Sequence, residues 1–197
     1  MKKVLLINFL LYSFVCFSQT KYKDSLRLFL HNYVQSHEVV KGDDKKFMQF
    51  YPVNKAYRVV ADFKPSASGG WLTFKTSGTK NKVFKLYGTL SFLLKGKACQ
   101  LNIYQSQELT TNPEYKNYLF LPFTDLTTGN ETYGSGRYLD LTTTEIQNGK
   151  LVLDFNKAYN PYCAYVSGVY NCPIPPKENN LPVAVKAGEK AFAKKHS

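Results

Sequence analysis

Tyr57-Arg58-Val59-Val60-Ala61-Asp62-Phe63-Lys64 is the stretch on which the fold turns. Tyr57, Val59, Ala61 and Phe63 alternate with Arg58, Val60, Asp62 and Lys64, the period of a strand rather than of a helix. The same period recurs at residues 46–51, 71–76, 82–87, 89–95 and 98–104, then at 137–142 and 150–155. Turn residues punctuate these runs: Ser77 to Asn81, Lys95-Gly96-Lys97, and Asn148-Gly149. The last readily supplies the positive φ angles of a tight hairpin, which predicts pairing of 137–142 with 150–155. Short strands so punctuated imply a mainly β protein, a single antiparallel β-sandwich or barrel-like domain, rather than βαβ units. One N-terminal helix is expected at 22–37, packed on that domain, because Tyr22, Leu26, Phe29, Leu30 and Tyr33 recur at helical spacing.

The ends of the chain bear on compartment. Lys2 and Lys3 precede an apolar run from Val4 to Phe17 and the junction Ser18-Gln19, the pattern of a secretory signal peptide over 1–18. Residues 19–197 then form the single β-rich domain, and no integral membrane segment is expected after cleavage. The protein is read as exported, periplasmic or secreted. Lipoprotein anchoring through Cys16 is the rival, disfavoured by the bulky Val15 before it. Residues 191–197 read as a fraying basic end.

The formal charge is +12, yet the lysines are scattered and form no basic stripe, so no nucleic-acid partner is expected. Of four cysteines, Cys16 leaves with the signal and Cys99 alternates inward with Leu101 and Ile103. Cys163 and Cys172 flank a short loop, and in an oxidising compartment that favours a disulfide. Neither has a histidine nearby, so no metal and no cofactor are expected.

Two blocks carry the polar chemistry. The first, 120–140, reads FLPFTDLTTGNETYGSGRYLD, and the second, 154–190, contains DFNKAYNPYCAY, NCPIPPKENNLPV and AGEK. The second has little periodicity and reads as an ordered wrap over one end of the β body. Together they closely resemble the family known as domain of unknown function 1684, whose members are mostly exported prokaryotic proteins. The resemblance implies a β-rich fold and a shared polar surface, and no reaction, since none is assigned to that family.

From the residues themselves, Gly134 and Gly136 leave little bulk beside Arg137, whose guanidinium can grip a carboxylate or phosphate in bidentate fashion. The alternative is a structural tie from Arg137 to Glu131, Asp140 or Asp154. Candidate ligand-binding residues are Arg137, Glu131, Asp125, Asp154, Asn156, Tyr159, Asn160 and Glu178, with Asn156 and Asn160 equally readable as loop organisers. Histidines occur only at 31, 37 and 196, so a histidine-based triad has no base in these blocks. The favoured function is binding of a small polar, anionic or glycan ligand in an aromatic- and Arg/carboxylate-lined pocket. The alternatives are a hydrolase working through Asp125, Glu131, Asp154, Glu178 or Glu189 on an envelope or glycan substrate, and a structural envelope protein with no ligand.

Overall fold

The computed structural model describes residues 20–67 and 69–194; the expected signal segment and Cys16 lie outside them. Two compact units are present, one ending at His37 and one beginning at Glu38. The first holds helix α1, residues 20–36. Tyr22, Leu26, Leu30 and Tyr33 lie along its less exposed side, while Phe29, expected on that stripe, is exposed.

The second unit is built on seven strands: β1 (Arg58–Pro65), β2 (Trp71–Phe74), β3 (Lys82–Leu94), β4 (Lys97–Ser106), β5 (Tyr118–Phe123), β6 (Arg137–Thr142) and β7 (Lys150–Asp154). A short helix, α2 (Gln107–Thr110), follows β4. All pairings are antiparallel, in one sheet ordered β6-β5-β4-β3-β1-β7, with β2 on the free part of β3. The sheet curls into a half-barrel, the barrel-like form of the expected fold.

The Asn148-Gly149 turn forms, with φ of 52° and 70° and paired hydrogen bonds between Gln147 and Lys150. The expected pairing across it does not. β6 and β7 are the two opposite edges of the sheet, so the turn redirects the chain from one edge to the other. Thr142 with Glu145 caps a 3₁₀ turn at Thr143–Glu145 that ends β6 before any ladder can start. Only residues 143–149 join the two edges, and they include that turn and the hairpin bend. A flat sheet would put its six main strands about 24 Å apart edge to edge, so the short connection requires the curl.

Three other expectations are corrected. The runs at 82–87 and 89–95 are one strand, β3, in which the register slips between Leu86 and Gly88. That one-residue bulge moves side chains to the other face: Phe84 and Leu86 join one apolar cluster, whereas Leu90, Phe92 and Leu94 join another. Residues 46–51 are not a strand. Asp43, Asp44, Lys45 and Lys46 sit in a 3₁₀ turn, Gly42–Phe47, followed by a single bridge from Phe50 to Glu189. The C-terminal end is tied rather than fraying as far as it is described. Ala191 N donates to Glu131 O, Ala193 N donates to Phe47 O, and Lys194 pairs with Asp44 at 2.7 Å.

The main core fills the curl. Ala61, Leu90, Leu94, Leu101, Leu121 and Leu153 from the strands meet Phe155, Leu181, Val183 and Val185 from the C-terminal wrap. Leu181, Val183, Val185 and Ala187 alternate inward while Pro182 and Lys186 face out. This period-two signal lay in the sequence and was obscured by the prolines before it. Leu181 N donates to Thr124 O at 2.8 Å and Leu126 N donates to Val183 O at 3.3 Å. The opposite face of β3–β6 carries a second cluster of Phe74, Phe84, Tyr104, Phe120 and Tyr138. Cys163 and Cys172 form the expected disulfide, with Cα atoms 6.3 Å apart, and Cys99 is free and buried.

Candidate functional site

Two polar centres flank β6, one on each face. The inner one is built on Arg137, which retains 1% of its surface. Its Nη2 donates to Asp125 Oδ2 at 2.9 Å and to Val185 O at 2.8 Å, and its Nη1 donates to the carbonyls of Ala187 and Glu189. Asp125 Oδ1 in turn accepts from Thr127 N and Thr127 Oγ1, both at 2.7 Å, and from Val185 N at 3.1 Å. The guanidinium also lies 5.3 Å from the Phe123 ring centre. An ion pair this deep is costly unless most of its remaining hydrogen-bonding positions are filled. Here three backbone carbonyls of the wrap accept from the two Nη atoms, while the buried Nε has no hydrogen-bond partner, so Arg137 stitches the wrap to the sheet through its Nη donors. Gly136 makes room for the stitch: its φ is 83°, and a Cβ there would meet Phe123 O at 2.5 Å.

Three more of the eight candidates, Asn156, Asp154 and Asn160, belong to the same stitching. Asn156 Oδ1 accepts from Asn54 N and its Nδ2 donates to Asn54 O, both at 2.9 Å, tying the wrap to the segment before β1. Asp154 Oδ1 accepts from Asn156 N and Nδ2 at 3.1 and 2.8 Å. Asn160 N donates to Glu189 Oε2 at 2.9 Å and Asn160 Nδ2 donates to Lys190 O at 2.8 Å. Buried Glu189 also accepts from Tyr165 Oη at 2.7 Å. Asn179, not among the expected site residues, is fully buried; its Nδ2 donates to Asn102 O and Pro122 O, and its Oδ1 accepts from Asn102 N. Gly188, with φ of 75°, lets this segment pass 2.7 Å or less from where a Cβ would meet Phe155 O and Ala158 O.

Glu131 sits apart, at the surface. It accepts from Tyr51 Oη at 3.1 Å and pairs with Lys186 at 2.8 Å. The Lys186 hydrogen bond holds its carboxyl below the usual range, and Glu131 raises the Lys186 ammonium in return. Tyr51 is pushed up to about 12, first by burial and then by its bond to Glu131. Glu178 is exposed in the 3₁₀ turn Lys177–Asn179, near enough to Tyr104 to raise its pKa after the larger effect of burial. The eight candidates therefore do not line one concavity.

The outer centre is built on Asp140, which the strand period places on the face opposite Arg137. Asp140 is exposed, and its Oδ1 accepts from both Tyr118 Oη and Tyr159 Oη at 2.7 Å. Protein packed around the carboxyl raises its pKa, and the two tyrosine bonds oppose that. Tyr118 is raised well above the ordinary phenol value by burial and then by the charge of Asp140. Tyr138, with Tyr159 edge-on at 5.8 Å, hydrogen-bonds the Pro173 carbonyl. Tyr162 Oη donates to Glu38 at 2.8 Å, and its ring meets Tyr170 at 5.0 Å. Beneath lie the rings of Phe74, Phe84, Tyr104 and Phe120.

Of the eight candidates, only Tyr159 belongs to this outer centre. Asp140 and Tyr118, which complete it, were not among the expected site residues. The signal was present: on a strand where Arg137, Leu139 and Leu141 face in, Tyr138 and Asp140 must face out.

The geometry defines a class: a curled antiparallel half-barrel closed by an irregular wrap stitched with buried polar side chains. Residues 45–190 match the family described as "Protein of unknown function (DUF1684)", and the chain belongs to that family. Its fold is similar to the solution NMR structure of an uncharacterized protein from gene locus rrnAC0354 of Haloarcula marismortui. The identity is 26% and the TM-score 0.65, over 88% of this chain and 96% of that one. No curated protein matches. No helix among the described residues is long and apolar enough to cross a membrane, and no group of three or more His, Cys, Asp or Glu side chains among them is arranged to hold a metal ion.

Proposed function

We propose that this is an exported binding protein whose ligand is a small polyhydroxyl molecule, a sugar or short glycan, held on the tyrosine face around Asp140. The observation that carries the reading is the commitment of donors. The hydroxyl protons of Tyr118 and Tyr159 go to Asp140, that of Tyr138 to Pro173, and that of Tyr162 to Glu38. What remains toward solvent is Asp140 Oδ2, the phenol lone pairs and aromatic surface. Such a face accepts hydrogen bonds and stacks against apolar C–H faces, and it repels anions. Sugars supply both many hydroxyl donors and a C–H face. An anionic ligand gripped by Arg137 does not fit, since that guanidinium is buried and both its Nη atoms are engaged inside. The disulfide accords with an oxidising compartment.

The hydrolase reading has one observation in its favour, the raised proton affinity of Asp140, which suits a general acid. It also needs a second carboxylate about 5–9.5 Å away; the other carboxylate hydrogen-bonded into this cluster among the described residues is Glu38, held by Tyr162 at its edge.

Calorimetric titration with neutral hexose and N-acetylhexosamine oligosaccharides tests the proposal. Binding that falls at least about tenfold in Asp140→Asn, and less in Tyr159→Phe, is expected for a charge-assisted bond. Unchanged affinity in both variants would refute the site. Reducing-end release would move the reading to hydrolysis, and binding confined to amine ligands would move it to cation recognition.

A further inference from the structure

The disulfide loop and the β2–β3 turn are bonded into one tip. Ser77 N donates to Cys172 O at 3.0 Å, Ile174 N donates to Lys75 O at 2.9 Å, and Lys80 N donates to Asn171 Oδ1 at 2.9 Å. Thr76 and Pro173 are bridged as in a sheet, and Gly78 lies so close to Asn171 that a Cβ would meet its Oδ1 at 2.3 Å. The tip leaves Val169 62%, Tyr170 37% and Ile174 42% exposed, although nothing in the ligand proposal needs them. Lys75, Lys80 and Lys177 are exposed beside them, while Lys82 pairs with Glu108. Residues 75–82 and 161–177 contain no carboxylate at all. Among the described residues, two carboxylates reach residues 161–177 by a hydrogen bond, Glu38 from Tyr162 and the buried Glu189 from Tyr165.

We propose that this tip docks the protein on a bilayer surface carrying anionic headgroups, Val169, Tyr170 and Ile174 entering the interface while the lysines meet the headgroups. Apolar side chains with adjacent unpaired cations are what interfacial binding requires. Tyrosine suits the headgroup level because its ring is apolar and its hydroxyl wet. The Cys163–Cys172 bridge and the bonds to Ser77 hold the tip in shape beforehand, which lowers the ordering cost of docking. The net positive charge, which stays high after Lys2 and Lys3 leave with the signal, adds long-range attraction to such a surface. The inference does not rest on the ligand proposal, since its residues are not those around Asp140.

Vesicle flotation of the full chain tests it, using phosphatidylcholine alone and phosphatidylcholine mixed equally with phosphatidylglycerol. Preference for the anionic vesicles is expected, falling at least about tenfold in Lys75→Glu/Lys80→Glu and clearly in Val169→Asp/Tyr170→Ser, while Asp140→Asn floats like the parent. Any other membrane-active part of the chain would persist in all variants, so a second readout is site-specific. In Trp71→Phe/Tyr170→Trp, indole emission should shift to the blue on adding anionic vesicles. No blue shift, or equal flotation of parent and tip variants, would overturn the proposal. So would equal retention of the parent and Val169→Asp/Tyr170→Ser on lipid-free dextran sulfate beads together with no vesicle preference, since charge alone would then account for binding.

Discussion

Arg137 and Asp140 stand three residues apart on one strand and have opposite fates. Arg137 points into the curl, where a carboxylate and three carbonyls take up its guanidinium. Asp140 points outward and is exposed, with two tyrosines holding one of its carboxylate oxygens. Polar residues of one block therefore end in two different surroundings that sequence proximity hides. Inside, charge fastens an irregular segment that has too few ladder bonds to hold itself. Outside, charge is held by two tyrosine hydroxyls at the surface, where the ligand is proposed to bind.

The largest effect that would break this contrast is on stability. Arg137→Leu leaves Asp125 buried without its cation and three carbonyls without a donor, and should cost about 3–5 kcal/mol. For a chain of this size that lowers the melting temperature on the order of 10 °C. Adding Asp125→Leu should restore part of the loss, because two apolar side chains replace a buried pair more cheaply than one orphaned charge. A thermal melt with no loss in Arg137→Leu would return that residue to the ligand site. Next, Asn179→Ala should cost about 2–3 kcal/mol through stranded buried backbone groups. Urea denaturation measures it, and a loss below about 0.5 kcal/mol would mean that the wrap is held by apolar contacts alone. Replacing both Cys163 and Cys172 with serine should cost about 2–3 kcal/mol, read from the same urea curves.

Much of the fold was legible in sequence because period two is a local signal. Tyr57–Lys64 alternates as one strand should, and the turns at 77–81, 95–97 and 148–149 are where the chain bends. Pairing was less legible. Asn148-Gly149 specifies its own backbone angles, but not whether the flanking strands stay together beyond Gln147 and Lys150. The site was harder still. Arg137, Asp125, Asn156 and Asn160 belong to residue types that serve ligands and buried staples equally, and only the partners decide. Asp140 was readable from the alternation on β6, but its meaning depends on Tyr118 and Tyr159, which reach it from β5 and from the wrap.

Two smaller effects of pH sharpen the comparison. The folded-state pKa of Asp140 is raised, chiefly by the protein packed around its carboxyl. A carboxyl raised in this way contributes stability below its unfolded value, about 4, and loses it as pH rises through the folded value. The parent should therefore lose stability relative to Asp140→Asn as pH rises above about 4, by a small amount because the group is exposed. Parallel urea curves from acid to neutral pH would detect it, and the opposite slope would contradict the placement of Asp140. At the alkaline end, Tyr51 and Tyr162 should ionise near pH 12, seen as late phenolate absorbance that Tyr51→Phe reduces.

The most direct test of the contrast is carbodiimide labelling of carboxyl groups in the native protein, read by peptide mass spectrometry. Asp140 should label readily, whereas Asp125 and Glu189 should label only after unfolding; labelling of Asp125 as fast as Asp140 would contradict the account.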